Sequence, residues 1–386
     1  MSISPAASRM PLIDALRAVA SQLIVLHHLA FYGPMSDAVE GLAPAVFAWL
    51  SEHARVAVQA FLVCGGFMAA RTLAPAGAPE FGPPGPLLLR RYLRLAPPLM
   101  AAIMLAVVLS ALASWLNPNP AIPLAPSPGQ LLAHLLLLQD VLGIDALSAG
   151  VWYVAIDFQL FALTLGLLWL ARGAGSPARP LAISLVAGLG LASLFVFNRL
   201  PELDAWAPYF FGAYALGACA WWAGRPGARI HGLAALALAG AAALALDWRL
   251  RIAVALAVAL VLGIARRTRL LERWPRSALL AWLGRISYSV FLVHFPISIA
   301  IGALVWRIFP GQPLANAAGL LAAWAACVAG GALFHRHVEL RFTGSGRAAS
   351  GSAGPAPADL GSGTGFRAHL RPAAPGAAGA GSTPRP

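Results

Sequence analysis

The sequence predicts an all-α fold, a polytopic integral membrane helical bundle of about ten transmembrane helices. Three observations predict it. The chain is 59% hydrophobic and 11% charged, whereas ordinary globular domains carry about 25% charged residues. Apolar runs of about 20 residues, the length that crosses a hydrocarbon core of roughly 30 Å, recur along it. Arginines gather in alternate connections between the runs.

The runs lie at 12–33, 55–73, 95–116, 151–171, 179–197, 206–223, 228–246, 250–266, 284–306 and 314–337. The first lacks the small-residue cleavage pattern of a signal peptide and reads as a retained span. The run at 131–142 is shorter, carries His134, Gln139 and Asp140, and follows the Pro/Asn-rich stretch NPNPAIPLAPSPG. It suits an interfacial or re-entrant segment, and counting it as a span would invert everything after it. With a cytoplasmic amino terminus, ten spans put Arg90, Arg91, Arg94, Arg172, Arg179, Arg225, Arg229 and the run RRTRLLERWPR (266–276) inside. Asp37, Glu40, Glu52, Asp140, Asp145, Glu202, Asp204 and Asp247 fall outside, the positive-inside bias. Arg249 and Arg251 in DWRLR are the exception, facing outward in a short turn.

Residues 1–343 form one membrane domain in this reading, and 344–386, rich in Gly, Pro and Ala, a disordered cytoplasmic tail. The net charge of +13 would suggest nucleic acid in a soluble chain. Here the arginines are mostly juxtamembrane, so topology and anionic lipid explain them and no nucleic-acid partner is expected. Cys64, Cys219 and Cys327 have neither disulfide nor metal spacing. Self-association is left open.

Ionisable groups inside spans are costly and usually face the protein interior or a water-filled path. In LRAVASQLIVLHH, Arg17 and His28 are 11 positions apart, which at 100° per residue returns His28 to within about 20° of Arg17's face and roughly 16 Å further along. Asp14 and Ser21 share that stripe, and His27 points about 100° away. The plainer alternative is a snorkelling Arg17 and a structural hydrogen bond at His28. In VWYVAIDFQLFALTLG, Asp157 lies roughly 9 Å deep with Tyr153 one turn before it. A carboxylate there needs a partner. If it orients the His28 imidazole, it makes a stronger base for a hydroxyl proton; otherwise it is a helix–helix hydrogen bond. In GRISYSVFLVHFP, His294 lies nine residues beyond Arg285, Ser287 shares its face and Arg285 faces the other way. His294 reads either as lining a transfer path or as a packing histidine. Gly65 and Gly66 in FLVCGGF permit close helix approach. Arg90, Arg91 and Arg94 in LLLRRYLRLAPP are topology markers or, with Arg17 and Arg285, a cluster of guanidinium forks suited to a polyphosphate ligand. No Walker sequence or dinucleotide fingerprint is present.

These stretches resemble membrane acyltransferase family 3, the group of bacterial integral-membrane O-acetyltransferases. LRAVASQLIVLHH matches its arginine, ten-residue gap, histidine pattern at Arg17 and His28. FLVCGGFM resembles the second-helix stretch with Gly65 where serine is usual. RRYLRLAPP resembles the start of the third span. WYVAIDFQLF carries Asp157 where glutamate is usual. GRISYSVFLVHFP covers Arg285, Ser287, Tyr288 and His294, and HVELRF, with Glu339 and Arg341, resembles the closing motif. The resemblance spans roughly 11–343. It implies an acyl-CoA donor, commonly acetyl-CoA, arriving from the cytoplasm at a bacterial inner membrane, and a hydroxyl acceptor on a saccharide or glycolipid. No permanently bound cofactor and no metal are expected. In the working scheme His28 is the base, helped by Asp157 and Arg17. Arg90, Arg91, Arg94 and Arg285 hold the donor, and Tyr153, Ser287 and His294 line the substrate path. A proton-coupled transporter or flippase is the alternative.

Overall fold

The computed structural model describes residues 10–118 and 122–342. They form thirteen α-helices joined by turns, with no strand among the described residues. The expected tail at 344–386 lies outside the described residues.

Helix α1 (Pro11–Phe31) is followed by the short α2 (Pro34–Val39), α3 (Pro44–His53) and α4 (Val58–Leu73). Then come α5 (Pro84–Leu116), the eight-residue α6 (Pro128–Leu135), α7 (Val151–Arg172), α8 (Ala178–Phe195) and α9 (Ala207–Ala223). The chain closes with α10 (His231–Leu246), α11 (Leu250–Arg267), α12 (Ala278–Ile308), α13 (Pro313–Phe334) and a π-helical turn at His335–Glu339. Proline opens α1, α2, α3, α5, α6 and α13, where its missing N–H would have no helical partner anyway.

All ten apolar runs are helical, and among the described residues seven helices are long and apolar enough to cross a membrane, one of them running through α3 and α4. The other three are shorter or more charged: α9 has 17 residues, α10 has 16, and the 18 of α11 include Arg251, Arg266 and Arg267. The doubtful run at 131–142 yields only α6, which at about 1.5 Å per residue reaches some 12 Å. Its start is a capping box: Gln130 N–H donates to Ser127 Oγ (3.2 Å) and Ser127 N–H to Gln130 Oε1 (3.0 Å).

One departure from the sequence reading positions the site. Arg90, Arg91 and Arg94 were expected in a connection before a span starting at 95. Pro84 and Pro86 fall in the first turn, where proline is tolerated, no helix breaker lies between Pro86 and Pro97, and the Leu-rich stretch 87–89 favours helix, so α5 begins at Pro84 and carries the arginines on its first turns.

Glycines set the closest helix contacts. A Cβ on Gly284 of α12 would fall 2.2 Å from the Asp14 carbonyl oxygen of α1, and one on Gly66 of α4 would fall 1.8 Å from the Tyr214 carbonyl oxygen of α9. Only glycine permits such backbone approach. Gly284 meets Asp14 at one end, and His294 meets His28 at the other, so α1 and α12 run parallel. α4 and α9 are also parallel, since beyond Gly66 and Tyr214 the Trp222 indole donates to the Ala74 carbonyl (2.8 Å).

Arg249 and Arg251, the exception in the charge pattern, are taken up by backbone. Arg249 Nη2 donates to the Leu194 carbonyl at the end of α8 (2.9 Å) and Nη1 to Asn198 Oδ1 (2.8 Å). Arg251 Nη2 donates to the Asn198 carbonyl (2.7 Å). They satisfy carbonyls a helix end leaves open, which explains their place independently of topology.

Candidate functional site

A cavity of about 380 Å³ opens among α1, α4, α5, α7, α9, α12 and the π-helical turn. Arg17 from the first turns of α1 and Arg90, Arg91 and Arg94 from those of α5 line it. Arg17, Arg90 and Arg94 make no hydrogen bond or ion pair among the described residues. Three guanidinium groups thus stand available around one space, an arrangement suited to phosphate oxygens. Asp157 and Tyr153 reach the cavity from α7, Tyr214 from α9, and Tyr288 and Phe291 from α12.

Asp157 is buried and ion-paired to Arg91, whose guanidinium also lies 5.2 Å from the Phe161 ring centroid. The carboxylate that was expected beside His28 therefore has a different partner. Arg91 reaches it because α5 extends below the apolar run, while Asp157 faces α5 across the cavity.

His28 is paired with His294 instead. The His294 Nδ1–H donates to the carbonyls of Phe291 (2.8 Å) and Val290 (3.1 Å). Carbonyls only accept, so in the neutral ring Nε2 is the bare nitrogen. That Nε2 lies 2.9 Å from His28 Nδ1, which is also 3.0 Å from the Ile24 carbonyl. His28 Nδ1 therefore carries the hydrogen and donates, and its own Nε2 holds the free lone pair. Tyr32 stacks on the His28 ring at 5.6 Å between centroids.

A layer of aromatic rings separates the cavity from this pair. Tyr153 and Phe291 lie 5.2 Å apart, and Phe61 is 5.9 Å from Tyr153 and 6.2 Å from Phe291. All three line the cavity, and Phe291 reaches the His294 ring at 6.1 Å on the far side. Gly150, at φ 89°, starts α7 against Phe291; a Cβ there would meet that ring at 3.0 Å.

A family model described as an acyltransferase domain matches residues 11–336. The chain belongs to acyltransferase family 3. Comparison with curated proteins and with solved structures returns no match. The matched region runs from the first residue of α1 into the π-helical turn and so contains the aromatic layer, the histidine pair and the described cavity lining apart from Glu339, in a multi-pass membrane protein carrying an acyltransferase domain.

Within this acyltransferase domain the residues singled out from sequence fall into three groups. Arg17, Arg90, Arg91, Arg94, Tyr153 and Asp157 share the cavity. His28 and His294 form the pair beyond it. Arg285 and Ser287 join neither: Arg285 is exposed outside the cavity lining, and the buried Ser287 Oγ donates to the Gly284 carbonyl one turn back (2.9 Å). His27 turns to α3, its Nδ1–H donating to the Leu50 carbonyl (3.0 Å). Sequence reasoning passed over Tyr214, one of two tyrosines in an apolar run without a charged residue, and gave Glu339 no role. Among the described residues no group of three His, Cys, Asp or Glu side chains is placed to hold a metal ion.

Proposed function

We propose that the protein is a membrane O-acyltransferase that moves an acetyl group from acetyl-CoA to a hydroxyl of a saccharide or glycolipid acceptor. One observation carries the reading: a cavity ringed by available arginines ends one aromatic layer short of a histidine pair with a free ring nitrogen. CoA phosphates sit against Arg17, Arg90 and Arg94, and the thioester points to Phe291. When the rings turn aside, His28 Nε2 takes the acceptor hydroxyl proton, the oxygen attacks the thioester carbonyl, and the C–S bond breaks. The proton passes to the departing thiolate, giving CoA thiol and the acyl ester. Protonation of His28 strengthens its Nδ1–H bond to His294, which thus takes the orienting role first given to Asp157.

In this proposal the protein lies in a bacterial inner membrane with ten crossings and both termini cytoplasmic, the arginine-lined cavity facing inward and His28 outward. Support for ten comes from parity. α1 and α12 run parallel, so an odd number of crossings separates them. α4, α5, α7 and α8 provide four, and α9, α10 and α11 supply an odd remainder if all three cross. Their packing alternates in direction as crossing requires: Gly240 meets Leu256 and Leu233 meets Gly263, so α10 opposes α11.

Purified protein in liposomes, given labelled acetyl-CoA on one side and saccharide or glycolipid acceptors on the other, should yield labelled ester and free CoA thiol in equal amounts. Movement of an intact solute without ester formation would replace this reading with transport.

A further inference from the structure

Among the described residues two carboxylates line the cavity, and Asp157 is committed to Arg91. The other, Glu339, is 7% exposed and is held from two sides. The buried Ser289 hydroxyl of α12 donates to its Oε2 at 2.6 Å, and His335 Nδ1–H donates to the same oxygen at 2.8 Å. Oε1 takes no hydrogen bond among the described residues. A carboxylate has about four acceptor positions, so fixing one oxygen presents the other as an aimed acceptor. The residues that do this come from separate elements, α12 and the π-helical turn, and such turns recur at functional sites.

A negative group among arginines suits no phosphate; it needs an N–H or O–H donor. Its level in the cavity identifies one. Tyr288, next to Ser289, donates its hydroxyl to the Leu95 carbonyl (3.2 Å), so this part of α12 lies level with Arg94 and Leu95. Ser289 precedes His294 by five residues, about 7.5 Å along the helix. A ligand with phosphates on the arginines and a thioester at Phe291 must pass its linking arm between these levels.

We propose that Glu339 binds the donor through an amide N–H of the arm joining its phosphates to its thioester, with Ser289 and His335 as positioning residues. The proposal rests on the acyl-thioester reading above. It makes the cavity selective for amide-bearing thioesters over other polyanions, a selectivity that arginines alone do not provide.

The test uses the full chain in liposomes. Glu339→Gln is nearly isosteric, and its oxygen can keep the bonds to Ser289 and His335, turning an N–H donor toward the cavity in place of an acceptor. KM for acetyl-CoA should rise about tenfold with kcat within about twofold, as expected for loss of a hydrogen bond to a charged group. Ser289→Ala should raise KM by a smaller factor. Two short donors isolate the contact: S-acetyl-N-acetylcysteamine, which has the amide, and its analogue with ester oxygen in place of N–H. The unaltered protein should prefer the amide, and Glu339→Gln should lose the preference. Equal use of both donors by the unaltered protein, or a kcat loss in Glu339→Gln that is the same for both, would overturn the proposal. Transfer from no thioester at all would overturn the acyl-transfer reading itself.

Discussion

The buried Asp157 on α7 and the part-buried Arg91 on α5 form an ion pair inside the cavity, joining two helices that enclose it. A pair of this kind is worth little against apolar replacements, yet losing one partner strands a charge. Arg91→Met and Asp157→Leu should therefore each destabilise by about 3 kcal/mol, and the double variant should recover most of the loss. Unfolding midpoints in detergent check this. Additive losses would mean that the two side chains act independently.

His28→Ala, inserted and folded normally, should lose about 10²- to 10⁴-fold in turnover, the range for a missing general base. His294→Ala should lose turnover in the same direction by a smaller factor, because its acceptor nitrogen orients His28 without touching the acceptor. His27→Ala should retain activity, since that ring is bonded to the Leu50 carbonyl of α3. Initial rates normalised to folded protein make the comparison; equal losses in His27 and His28 variants would remove the distinction between them.

Arg17→Ala, Arg90→Ala and Arg94→Ala should raise the apparent KM for acyl-CoA by about tenfold each, because a charge-assisted phosphate contact is lost. Arg285→Ala should leave it unchanged, as that side chain is exposed outside the cavity. A raised KM in Arg285→Ala would bring that residue back into donor binding.

How far the site was legible depends on whether the relation was local or tertiary. Arg17 and His28 share one helix, so 100° arithmetic placed both on one stripe. The partner of His28 is 266 residues away, and no periodicity within α1 encodes it; depth alone suggested Asp157 as readily as His294. Asp157 was recognised as needing a partner, but Arg91 was read as lying in a loop because the apolar run starts at 95. The helix began at Pro84, where hydropathy is silent and capping chemistry is not. The ten helices were legible from apolar runs, whereas the length of α9, α10 and α11 leaves their crossing to be judged from packing direction.

Topology can be measured directly. A reporter fused within 123–127 should be external and one after residue 343 cytoplasmic, because the arginine-rich connections alternate with acidic ones. Both reporters on one side would break the ten-crossing arrangement and the placing of arginines inside and His28 outside.

The segment after α6 is pinned by one neutral histidine. His134 Nδ1–H donates to the Gln130 carbonyl (2.7 Å), and its Nε2 accepts from the Leu147 amide (3.2 Å). The ring is fully covered, and burial pushes its pKa below the ordinary 6.5. Protonating Nε2 would place a hydrogen against the Leu147 N–H and break that bond. The opened segment, free of these contacts, takes up its proton nearer 6.5, so between the lowered value and 6.5 it binds more protons than the closed one. The stabilisation is present above pH 6.5 and declines as pH falls below it. Hydrogen exchange at Leu147, corrected for its intrinsic pH dependence, should show protection at pH 7.5 that weakens at pH 5. In His134→Asn, which does not titrate, the pH-dependent part should vanish. Unchanged protection across this range in the unaltered protein would show that His134 does not pin the segment through its neutral form.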